Sequence, residues 1–167
     1  MVFSPRVLVI NQQKNVDYES DNVKDKDALY WEHFHNQQLH DNSVIVKRGE
    51  STYEISNDWS SVSDYSLKII SPPWDYVGWR VNDSLTCSKI QAKVDVNSDA
   101  PARIILVCRI DGSEQSNYVD VPTGETTVTL NLTFDSNITS SRVDVRFVSY
   151  TGDAVTGYMD NIKICKR

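Results

Sequence analysis

The chain has 167 residues, of which 40% are apolar and 24% charged, with a formal net charge of −6. That length supports one hydrophobic core without disulfides or metal, and the composition excludes wholesale disorder. The negative balance, with no dense Lys/Arg stripe, argues against nucleic acid as a partner, and no apolar run approaches the roughly 20 residues that insert across a membrane.

At the start of the chain, Val7-Leu8-Val9-Ile10 after Arg6 is too short for the apolar core of a secretory leader, about 7–15 residues, so no signal peptide is read here. A short strand fits it better. Residues 11–27 are polar and charged with scarcely an apolar anchor, which predicts a long loop or an extended arm. The domain plan is thus an N-terminal arm over 1–30 and a folded domain over 31–167. His33-Phe34-His35 would place two imidazoles on one face of a strand, a spacing that metal-binding β-folds use, but the acidic partner expected downstream is missing.

From about residue 43 the hydrophobic period is two, with Val, Ile, Thr and Tyr clustered between turn residues. The clearest case is 89–96, where Ile90, Ala92, Val94 and Val96 alternate with Lys89, Gln91, Lys93 and Asp95. Segments 126–134 and 142–147 repeat the pattern, each with one wet face. Segment 102–111 has one dry face and one mixed face, which predicts a central strand. Further strands are expected over 43–47, 52–55, 65–70, 76–81, 118–121 and 158–164, separated by turn signals such as Gly49-Glu50, Pro72-Pro73 and Asp111-Gly112. The fold class is all-β, a two-sheet antiparallel β-sandwich, with Ile90, Val94, Leu106, Cys108, Leu130, Val145, Phe147 and Ile162 in a common core. Cys87, Cys108 and Cys165 make an odd set without C-x-x-C spacing, so neither a disulfide framework nor a zinc site is read, and synthesis in a reducing compartment fits.

Three stretches carry a family resemblance: Ser63-Asp64-Tyr65-Ser66-Leu67-Lys68-Ile69, Trp74-Asp75-Tyr76-Val77-Gly78-Trp79, and Gly157-Tyr158-Met159-Asp160-Asn161-Ile162-Lys163-Ile164. In this order they resemble carbohydrate-binding modules with the galactose-binding-like jelly-roll fold. The resemblance covers about three-quarters of the chain, and residues before Trp31 have no counterpart in it. It implies a jelly roll, a glycan ligand, and one structural calcium ion held by an acidic residue of the early strand and an Asp of the last, here Glu32 and Asp160.

Sugar recognition needs aromatic rings for apolar sugar faces and planar polar groups for hydroxyls. On a strand over 76–81, Tyr76 and Arg80 share one face while Val77, Trp79 and Val81 take the other, so the two sets cannot do the same job. The preferred split puts Trp79 in the core and leaves Trp74, Tyr76 and Arg80 accessible; the alternative is that all these aromatics are sandwich core or edge cover. Arg103 and Arg109 on one strand, with Arg142, Asp144 and Arg146 on another, also project from non-core faces. They read either as cross-strand ion pairs or as a ligand groove, and an aromatic joining the cluster separates the two. The expected ligand contacts are Trp74, Tyr76, Arg80, Arg109 and Arg146.

There is no G-x-S-x-G, P-loop or H-E-x-x-H, and no carboxylate pair with opposed environments, so no enzyme is read. The chain reads as a non-catalytic jelly-roll protein recognising a glycan or protein surface. Beginning at Met1 without leader or fused enzyme favours a virion or cell-surface component, such as a capsid decoration, tail or adhesion protein with other virion proteins as partners. The alternative is a carbohydrate-binding module excised from a secreted glycan-active enzyme.

Overall fold

The computed structural model describes residues 28–167 and, as strand pairing, residues 7–12. From position 13 onward, the arm expected over 11–27 lies outside the described residues. The described residues form β1 (Val7–Gln12), β2 (Tyr30–Glu32), β3 (Ser43–Arg48), β4 (Thr52–Ser56), β5 (Ser66–Ser71), β6 (Tyr76–Val81), β7 (Leu85–Ser98), β8 (Ala102–Ile110), β9 (Ser113–Val121), β10 (Gly124–Ser140), β11 (Val143–Val148) and β12 (Val155–Lys166). They make two antiparallel sheets. One runs β1-β10-β7-β12-β5-β4, with β2 also on β12, and the other runs β3-β6-β11-β8-β9.

The two-residue period decides which side of each strand is dry. Ala102, Ile104, Leu106, Cys108 and Ile110 point inward from β8, as do Val143, Val145 and Phe147 from β11 and Val128, Leu130, Leu132 and Phe134 from β10. All eight core residues expected from the sequence are buried, and β8 takes an interior position between β11 and β9. The jelly-roll sandwich is therefore the fold. Burial pushes the Cys108 thiol up to about 12, and all three cysteines are buried, which suits packing groups rather than nucleophiles.

Two local features set the sheet spacing and the course of β12. A Cβ on Gly157 would stand 2.2 Å from the Phe147 ring, so only glycine lets this ring fill the space between the sheets. On β12 the inward residues before the bulge are odd-numbered, Val155, Gly157 and Met159, and those after it even-numbered, Ile162 and Ile164. A β-bulge between Asp160 and Lys163 makes the change, with Asn161 at φ 50 supplying the left-handed turn that Asn tolerates.

Candidate functional site

The outward face of the five-stranded sheet gathers the polar and aromatic residues that alternate with the core. On β6 these are Tyr76, Gly78 and Arg80, on β11 Asp144 and Arg146, on β8 Arg103, Ile105, Val107 and Arg109, and on β9 Glu114, Ser116, Tyr118 and Asp120. Strand register sets them in rows. Arg80 lies opposite Asp144, Asp144 opposite Val107 and Val107 opposite Ser116, while the next row runs Gly78, Arg146, Ile105, Tyr118.

One half of this face is a charge network. The Arg80 guanidinium donates from Nε to Asp144 Oδ1 at 2.7 Å and from Nη2 to Oδ2 at 2.9 Å. Arg146 donates to the same Asp144 at 2.8 Å and to Glu114 at 3.0 Å, and Arg142 reaches Glu114 at 3.1 Å. Both links to Glu114 start from the β11 side and end on β9, so they cross β8, which accounts for the burial of outward-facing Val107. Hydrogen bonding from Arg146 holds the Glu114 carboxyl below its ordinary range, and Arg142 adds to the effect. Arg146 can lie flat because Gly78 has no side chain: a Cβ there would stand 2.9 Å from Arg146 Cγ. Its guanidinium carbon rests 4.4 Å from the Tyr76 ring centre.

The other half is an aromatic cluster around Arg103, whose guanidinium carbon lies 3.9 Å from the Tyr118 ring centre, 4.9 Å from Tyr150 and 6.0 Å from Trp74. Asp120 fixes that guanidinium through Nε at 2.8 Å. Trp74 is 60% exposed, yet its backbone is tied down. Its N–H donates to Ser149 O at 2.7 Å, Asp75 N–H closes a turn onto Pro72 O, and Pro73 bridges Ser149. With φ at 64, Trp74 occupies a sparsely populated backbone region that this turn and the paired prolines hold in place.

The expected contacts thus share one face but divide into two environments. Trp79 is in the core, Trp74 is exposed and Tyr76 half-buried, as the alternation predicts. Arg80 and Arg146 stand on this face already committed to carboxylates, and Arg109 lies in register with Glu114. Aromatics do join the arginines. Sequence reasoning missed Tyr118, Tyr150, Glu114 and the part played by Gly78. Tyr118 was within reach, because Val119 and Val121 are inward and turn it outward, whereas Tyr150 follows the end of β11 and only the tertiary fold brings it to Arg103.

Glu32 and Asp160 are both buried, and neither faces the sheet surface described above. Glu32 accepts N–H bonds from Phe34 at 2.8 Å and His40 at 2.6 Å. Asp160 accepts them from Ser61 at 2.8 Å, Val62 at 3.2 Å and Asn161 at 2.8 Å. A calcium site requires converging oxygen ligands, and here N–H donors converge on the carboxylates instead. Among the described residues no group of three or more acidic, His or Cys side chains is placed to hold a metal. This surrounding does not fit the expected calcium. Burial pushes the Asp160 carboxyl above its ordinary value, against the pull of those backbone donors. The His33-Phe34-His35 stretch is not a strand, because β2 ends at Glu32, Phe34 turns left-handed and His35–Gln37 is a short 3-10 turn. Trp31, His33 and His35 line a groove of about 460 Å³ with Val62, Ser63 and Asp64.

No protein-family model and no curated protein matches the sequence. Solved structures do match the fold. The CBM22-2 xylan-binding domain from Paenibacillus barcinonensis Xyn10C superposes with a TM-score of 0.59 at 15% identity, over 84% of this chain and 100% of that one. TmCBM61, solved with beta-1,4-galactotriose, gives a TM-score of 0.54 at 9% identity, over 81% of this chain and 94% of that one. The enzymatically active domain of bacteriophage CBA120 tailspike protein 4 gives 0.59 at 12% identity, over 86% of this chain but only 22% of the tailspike chain. This chain therefore has the fold of carbohydrate-binding modules, and spans less than a quarter of the tailspike it resembles.

Proposed function

We propose that the chain is a non-catalytic glycan-binding protein whose ligand lies on the outward face of the five-stranded sheet, against Trp74, Tyr118 and Tyr150. One observation carries this reading: three aromatic rings converge on Arg103, and the most exposed of them, Trp74, is anchored at its backbone. Rings held open to solvent offer stacking surface at little entropic cost, and Arg103, with the Asp120 carboxylate behind it, offers directed hydrogen bonds. Glu114 is held ionised by arginines, and the carboxyl whose affinity for protons is raised, Asp160, lies buried under the loop at Ser61 and Val62.

For the wider role, one reading is a component of a virion or cell surface, as capsid decoration, tail or adhesion protein, and a tailspike domain is among the proteins that share the fold. The alternative, a module belonging to a secreted glycan-active enzyme, is supported by the likeness to isolated modules. The Glu32 and Asp160 carboxylates tie the adjoining loops to β2 and β12.

The test is a glycan array probed with the parent and with Trp74→Ala and Tyr118→Ala. Glycan binding by the parent that both variants lose supports the reading. Absence of any glycan signal, or binding untouched by both variants, overturns it.

A further inference from the structure

The chain carries eight arginines and a net charge of −6, yet six of the eight stand on this single sheet face: Arg48, Arg80, Arg103, Arg109, Arg142 and Arg146. Counting strand positions alone, five of these arginines, all but Arg142, stand against three carboxylates, Glu114, Asp120 and Asp144. An acidic protein thus presents a net positive surface where its aromatic cluster lies. Cross-strand ion pairing alone would call for equal numbers of the two signs. Among the described residues, no carboxylate comes within ion-pairing distance of Arg48 or Arg109.

The paired arginines contribute as well, through the way they are paired. Arg80 and Arg103 each meet their carboxylate through Nε and Nη2, one edge of the planar guanidinium. A guanidinium has five N–H donors, so an edge-on pair leaves the Nη1 end with donors to spare. Each acid therefore acts as a backstop, fixing the guanidinium without consuming its capacity. Arg146, flat over Gly78 and against Tyr76, is fixed the same way by Asp144 and Glu114.

From this we infer that the face recognises an acidic glycan, one bearing carboxylate or sulfate groups, with sugar rings against Trp74, Tyr118 and Tyr150 and the acid groups met by Arg109 and the fixed arginines. The inference rests on the glycan-binding reading and narrows its ligand class. Guanidinium forks match planar carboxylates and sulfate oxygens alike, so the sources are separated by experiment.

The test is affinity electrophoresis and calorimetry of the full chain with polygalacturonate and chondroitin sulfate. Each is paired with a neutralised form, methyl-esterified or desulfated and carboxyl-reduced, beside neutral galactan and xylan and a duplex DNA control. The inference expects binding to at least one acidic polymer and not to its neutral form, weakening as salt rises. Arg109→Gln should weaken it about tenfold, the loss expected for one charge-assisted contact. Binding to polygalacturonate identifies carboxylate as the group recognised; chondroitin sulfate carries both groups, so loss of its binding on desulfation alone identifies sulfate and loss on carboxyl reduction alone identifies carboxylate. Equal binding to charged and neutral forms overturns the acidic preference and leaves the glycan reading standing. Equal binding to DNA reduces the face to a general anion surface and overturns the inference. Binding to no polysaccharide, with the fold intact by circular dichroism, overturns both.

Discussion

Replacing Asp144 by alanine removes the acid on which the charge network converges. The Asp144 side chain is 1% exposed and accepts four charge-assisted hydrogen bonds, two from Arg80 and two from Arg146, at 2.7 to 3.1 Å. At about 1.5–3 kcal/mol each, the bonds would sum to more than a domain of this size can lose, so simple addition overcounts. Two features reduce the cost. Arg146 keeps Glu114, and the Arg80 side chain, 17% exposed, can regain water. Removing one partner of a buried ion pair costs about 3–5 kcal/mol, and these escapes put Asp144→Ala near the lower end, about 3 kcal/mol. Urea unfolding should show a lower midpoint with an unchanged slope. Arg80→Met combined with Asp144→Ala should cost less than the two single changes summed, because the double variant leaves no Arg80 charge stranded. A single-variant loss below about 1 kcal/mol would mean that the guanidiniums turn to water freely, contrary to a fixed array.

Leu106→Ala, in the interior strand of the five-stranded sheet, should cost about 2–5 kcal/mol by denaturant unfolding, and a variant as stable as the parent counts against the packing described. For Asp160 the folded-state proton affinity is raised above the unfolded one, so the folded chain binds the extra proton and stability falls as pH rises through the folded-state pKa. Asp160→Asn should flatten that dependence while lowering stability, since its amide turns a donor toward backbone N–H groups; a pH profile unchanged from the parent refutes the assignment. Millimolar calcium followed by chelator should leave the melting temperature unmoved, and a calcium-dependent rise of more than about 2 °C would show that Glu32 and Asp160 hold the ion after all. Trp74→Ala should leave the melting temperature close to that of the parent, because the ring is exposed, while abolishing glycan retention. A large loss of stability would make Trp74 a packing residue instead.

The sequence by itself determined the sandwich and its inside. Alternation in β7, β8, β10 and β11 is strict enough that a register shift of one residue would turn a full row such as Ile104, Leu106 and Cys108 into water, so pattern alone places the core. It likewise placed Tyr76 and Arg80 on one face and Trp79 on the other. It could not say which strands are neighbours, and charge pairing follows neighbours. Arg146 meets Glu114 only because β8 lies between β11 and β9, and Arg103 meets Trp74 and Tyr150 only because the Pro72-Pro73 turn docks on the end of β11. The acidic residues Glu32 and Asp160 illustrate the same limit: their positions along the chain give no sign of the backbone N–H groups that the fold directs at them. A period of two is a local property of extended chain, written in each strand separately, while the gathering of six arginines on one face depends on sheet order, which contacts between residues distant in sequence decide.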